Sequence, residues 1–122
     1  MNKALTLTFL FLFSFVQAQN YYYSSTPERN RVIRLITSLP EIVDEKKSFE
    51  QHHIRMAAYI DHVPTKNQKY YYVTIAEDQH DRLMPHQTFL VNPKTNEINY
   101  WDILNDKIVP LKIWRKHHYK DQ

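Results

Sequence analysis

The side chains of this chain that could do chemistry are seven histidines, thirteen carboxylates and a few serines, with no cysteine to serve as nucleophile or soft metal ligand. The adjacent pairs His52-His53 and His117-His118 put their rings on opposite faces of a strand, or about 100° apart on a helix, so neither pair converges on one ion. His80 is better placed, because Asp78 and Asp81 beside it could orient an imidazole towards a metal. One histidine among carboxylates is nevertheless a poor zinc set. The segment reads first as a polar surface turn, and neither a metal nor any other cofactor is expected.

Nucleophilic catalysis has as little support. Beyond the N-terminal segment the serines are Ser24, Ser25, Ser38 and Ser48, and none stands in the strand-to-helix elbow that exposes a nucleophile. His86 and Asp102 could form an acid-base pair on neighbouring strands, but alternation turns His86 outward and Asp102 inward, opposite Gln87. Asp102 is then expected to be satisfied by backbone donors, Arg115 or Arg82, since an unpaired buried charge is expensive. No enzymatic activity is expected.

Glycine is absent, where average usage of about 7% would give roughly eight. A Walker loop, a dinucleotide-binding fingerprint and an EF-hand all need glycine where the backbone takes positive φ or approaches a phosphate. All three are excluded. Asn and Asp must make the turns instead, at Asp78, Asp81, Asn92, Asn96, Asn105 and Asp106.

The elements that position these residues follow from periodicity. Residues 1–18 read as a secretory signal peptide: Lys3 is the basic start, Ala4 to Val16 the apolar run, and Val16-Gln17-Ala18 the cleavage signal before Gln19. At about 1.5 Å per residue the run is short of the roughly 30 Å hydrocarbon core, so stable membrane insertion after cleavage is not expected. The expected product is exported, periplasmic or extracellular. Without Lys3 it carries 15 basic against 13 acidic residues, interleaved except at Arg115 to Lys120, which argues against a nucleic-acid groove.

Residues 19–26 are expected to be an extended leader, 27–116 a single domain and 117–122 a polar tail. Thr26-Pro27-Glu28 starts a helix whose stripe is Val32, Ile33, Leu35, Ile36 and Leu39. Ser38 and Glu41 match a capping box for a second helix running to about Gln51. From His52 the period changes to two. Four strands follow: one through Ile54, Met56, Ala58 and Ile60, then Lys69–Glu77, Arg82–Val91 and Glu97–Ile103. With Asn92 paired to Glu97, Val91 faces Ile98, Phe89 faces Tyr100 and Thr88 faces Trp101. Pro110 is expected to open a short last helix with Leu111 and Trp114 on one side. The fold class is α+β, with N-terminal helices packed on one face of a four-stranded antiparallel meander and a short C-terminal helix. Ile36, Val73, Phe89, Ile98 and Trp114 should share one core.

On that register the outer sheet face carries Arg55, Tyr59, Tyr70, Tyr72, His86, Leu90 and Trp101. Tyr and Trp favour strands in any case, yet exposed clusters of them recur at protein interfaces and also stack on sugar rings. Tyr59, Tyr70, Tyr72, His86 and Trp101 are therefore the candidate binding residues. A protein or peptide partner is the first expectation and a glycan or cell-wall polysaccharide the alternative.

Leu39-Pro40-Glu41, the hairpin Phe89 to Thr95 and the terminal Leu111 to Arg115 together resemble elements of small exported bacterial proteins with a PepSY-like or cystatin-like domain. Asn96 stands where the hairpin of that group usually has glycine. The resemblance implies an α+β fold and tilts the function towards binding, either of proteases that it would inhibit or as a module of envelope proteins; its motifs are turn and core elements that name no ligand.

Overall fold

A computed structural model describes Tyr22–Tyr23 and residues 26–120; the expected signal peptide and its cleavage point lie outside the described residues. Helix α1 (Pro27–Thr37) begins at Thr26, whose hydroxyl accepts the Arg29 amide at 3.1 Å, with Pro27 in the first turn and Glu28 beside the positive helix end. Val32, Ile33 and Ile36 form its buried stripe. Helix α2 (Pro40–Gln51) follows without the expected capping box. Ser38 instead closes α1, donating its hydroxyl to the Arg34 carbonyl at 2.5 Å, and Leu39 is the N-cap of α2 with no side-chain bond. Glu41 turns inward and meets Arg115.

The fold is α+β, but the sheet is larger than the expected four-stranded meander. Its order among the described residues is β1 (Tyr22–Tyr23), β2 (Arg55–His62), β3 (Tyr71–Asp78), β4 (Leu83–Val91), β5 (Ile98–Asp102) and β6 (Lys107–Pro110). The leader contributes β1, which runs parallel to β2 with Tyr23 beside Tyr59; every other pairing is antiparallel. Strand β6 has only four residues and ends in Pro, too short for a period-two pattern to show. Asp106, at φ 50°, makes the turn that sets Ile108 opposite Trp101. Pro110 therefore closes β6 rather than opening the last helix. Helix α3 (Leu111–Lys120) runs into the expected polar tail, and His118 stacks on Trp114 one turn back at 4.8 Å.

The β4–β5 hairpin has the expected register. The Asn92 amide donates to the Glu97 carbonyl at 2.9 Å, Val91 faces Ile98, and Phe89 faces Tyr100. Positive φ falls on Asn96 and Asp106, and also on His53 and His80. All three helices cover one sheet face. Val32, Ile33, Ile36, Ile42, Val73, Phe89 and Trp114 share one core against which Ile98 and Tyr100 pack. Trp114 meets Phe89 edge-on at 5.3 Å and stacks on Tyr100 at 5.4 Å, so aromatic contacts seat α3.

Candidate binding surface

On the sheet face away from the helices, the Thr74 and Thr88 hydroxyls bond across strands at 2.8 Å and are buried. Towards one end of that face three rings form a row. Tyr72 meets His62 at 5.1 Å and Trp101 at 5.4 Å, both edge-to-face. Strands lie about 4.8 Å apart, so rings from β3 and β5 at this separation must both lean over β4 between them. Leu90 stands there, between Tyr72 and Asn99, and is fully buried. The expectation of Leu90 as a surface residue is thereby corrected.

Two adjoining clefts border this row. The smaller, about 320 Å³, is lined by His62, Val63, Thr65, Gln68, Tyr72 and Trp101. The larger, about 620 Å³, lies between the 63–70 loop and the 92–96 turn, with Tyr70, Tyr72 and Ile108 among its walls. Tyr72 thus shares the larger cleft with Tyr70 and the smaller with Trp101. Tyr59 is half-buried opposite Thr74 on the same face but lines neither of these two clefts. Burial, with Asp61 adding repulsion, raises the pKa of its hydroxyl.

Both walls of the larger cleft are tied down. The Gln68 carboxamide donates to the carbonyls of Val63 at 3.0 Å and Tyr70 at 2.6 Å, and accepts the Tyr70 amide at 2.8 Å, clamping both ends of the loop. On the opposite wall the Arg31 guanidinium donates to Asn96 Oδ1 at 2.6 Å and to the Pro93 carbonyl at 3.0 Å, joining the hairpin turn to α1. Gln68 and Arg31 carry no periodic signal in the sequence that would mark either clamp.

His86 does not belong to this surface. Ile75 pairs with Gln87 but Ala76 pairs with Pro85, so β4 carries an extra residue at a bulge. His86, the residue left over at the bulge, turns to the helix side, where its ring meets Phe49 edge-to-face at 5.1 Å. Its Nδ1 lies 3.9 Å from Glu45 and its Nε2 3.5 Å from Glu77. Pro85 inside a strand was the available sign, since proline within a sheet concentrates at edges and bulges.

Beside the bulge lies a third, polar cleft of about 410 Å³ lined by Glu41, Asp44, Glu45, Ser48, His86, Gln87 and His118. Gln87 donates to Glu45, and burial raises the Glu45 pKa against the opposing pull of His86, His118 and that bond. Ser48 shares this cleft. No hydrogen bond joins its hydroxyl to His86 among those described, and the His86 ring nitrogens lie nearer to Glu45 and Glu77.

Asp102 is half-buried, and of the partners expected for it the backbone donors are found, with no arginine paired to it among the described residues. Its carboxylate accepts the Asn105 side-chain amide at 2.8 Å and backbone amide at 3.3 Å, holding the β5–β6 turn; the Asn105 side-chain bond leads the interactions that lower its pKa. Arg115 serves Glu41 instead. In the 78–81 turn, Asp78 accepts the His80 amide at 3.0 Å and His80 adopts φ 71°, a backbone role. Among the described residues no three His, Asp or Glu side chains gather in a way that could hold a metal ion, and no helix is long and apolar enough to cross a membrane.

Comparison of the chain with protein-family models, with curated proteins and with solved structures found no match.

Proposed function

We propose that this protein is an exported, non-enzymatic binding module that takes a protein or peptide partner on the surface around Tyr72, Trp101 and Ile108. The observation that carries this reading is the continuity of aromatic and aliphatic exposure. Trp101 contacts Tyr72 and faces Ile108, which is 52% exposed, and the adjacent β5–β6 turn presents Ile103 and Leu104, the latter 96% exposed. Aliphatic side chains held in water beside half-buried aromatics suit a protein interface. The rings meet edge-to-face rather than forming a flat platform, which favours a protein over the alternative partner, a glycan. Export rests on the character of residues 1–18. The resemblance to PepSY-like modules points the same way.

Capture with the mature chain from periplasmic extract and culture fluid tests the reading. One protein should be enriched by the wild type and lost with Trp101→Ala and Tyr72→Ala, both still folded by circular dichroism. Equal recovery by the variants would contradict it. A glycan partner would show instead as quenching of Trp101 emission by polysaccharide fragments.

A further inference from the structure

The larger cleft differs in charge from the rest of a nearly neutral protein. Lys66, Lys69 and Lys94 line it, all exposed, and among the described residues that line it or its smaller neighbour there is no carboxylate. The ammonium of Lys69 lies 5.4 Å from the centre of the Tyr70 ring. Tyr72 is common to both clefts, so the lysine-lined volume is continuous with the His62–Tyr72–Trp101 row. From these features we infer that the cleft between the 63–70 loop and the 92–96 turn is a preformed site for an acidic peptide segment carrying apolar side chains.

Three observations combine in this inference, which rests on the binding role proposed above. The cations stand on both walls, Lys66 and Lys69 on the loop and Lys94 on the turn, so a carboxylate-bearing chain lying between them meets positive charge on either side. Apolar wall comes from Tyr70, Tyr72 and Ile108, which gives alternate side chains of an extended segment something to pack on. Both walls are already fixed, one by Gln68 and the other by Arg31, so little loop ordering remains to be done on binding. Sugars bearing carboxylates share the charge but would leave Ile108 unpartnered, and a peptide uses all three features.

The test uses the mature chain and a fluorescein-labelled peptide, Glu-Leu-Glu-Phe-Glu-Leu-Glu-Phe, followed by fluorescence anisotropy beside the same peptide with Gln for Glu. The acidic peptide should bind and the Gln peptide should bind at least about fivefold more weakly. Lys66→Gln with Lys94→Gln should weaken the acidic peptide by about fivefold to tenfold, and raising salt should narrow that gap. The exposed pair Lys112→Gln with Lys116→Gln on α3 should leave affinity within about twofold, which separates the cleft from overall charge. Equal binding of the two peptides, equal loss in the α3 control, no binding of the acidic peptide, or displacement of the peptide by polygalacturonate at lower concentration would each overturn the inference. None of these outcomes touches the capture experiment with Trp101→Ala, so failure of the charge assignment and failure of the binding surface are separately visible.

Discussion

Arg115 Nε lies 2.5 Å from Glu41 Oε1, joining the last helix to the second across 74 residues of sequence. The Glu41 side chain is only 3% exposed, while that of Arg115 is 39% exposed. A carboxylate buried this far needs its partner. Arg115→Ala is therefore expected to destabilise the domain by roughly 2 to 3 kcal/mol, somewhat less than breaking a fully buried pair, because water can reach the arginine side. Urea denaturation measures the loss. The double variant Arg115→Met with Glu41→Leu should recover most of it, since it removes the charge along with its partner.

Phe89 and Trp114 seat α3 on the sheet, and truncation of either to Ala should cost roughly 3 to 5 kcal/mol. No disulfide is available to offset the loss. A loss below about 1 kcal/mol at Phe89, read from denaturant midpoints, would contradict its placement in the centre of the core.

Glu45 gives a pH dependence of definite sign. Burial raises its pKa in the folded state, so between the ordinary carboxylate range and that raised value the folded protein binds more protons than the unfolded chain. Stability from this group is therefore greatest in acid and falls as pH rises through the raised pKa. Glu45→Gln should melt higher than wild type at pH 7, with the difference closing below about pH 4, where the carboxyl is neutral in both states. A lower melting temperature for the variant at pH 7 would show that attraction from His86 and His118 outweighs burial.

Gln68→Ala should release the 63–70 loop without unfolding the sheet. Amide exchange at Tyr70, whose N–H bonds the lost carboxamide, should accelerate, while amides of Val73 and Phe89 keep their protection. Unchanged exchange at Tyr70 would mean that the clamp does not hold the loop.

The core and the hairpin were legible because period and turn chemistry agree there: alternation through Val73, Ile75, Phe89 and Val91, with Asn96 taking positive φ, allows one register. Strand β6 was hidden by its length and by the proline that ends it. Half of the binding surface was legible for the same reason as the core, since parity alone puts Tyr72 and Trp101 on one face. His86 was misplaced because one bulged residue at Pro85-His86 reverses the parity on which its position depended. Lys94 and Arg31 are brought to the loop that carries Lys66, Gln68 and Lys69 only through the fold, and no local pattern marks them.

Assigning the function to the Tyr72–Trp101 face, and not to the His86 side, is the central claim. Titration calorimetry of the captured partner against the mature wild type, Trp101→Ala and His86→Ala tests it most directly. Loss of a central aromatic contact predicts more than about 30-fold weaker binding for Trp101→Ala, and His86→Ala should bind as the wild type does. Wild-type affinity in Trp101→Ala would contradict the account, and a comparable loss in His86→Ala would move the partner to the helix side of the sheet.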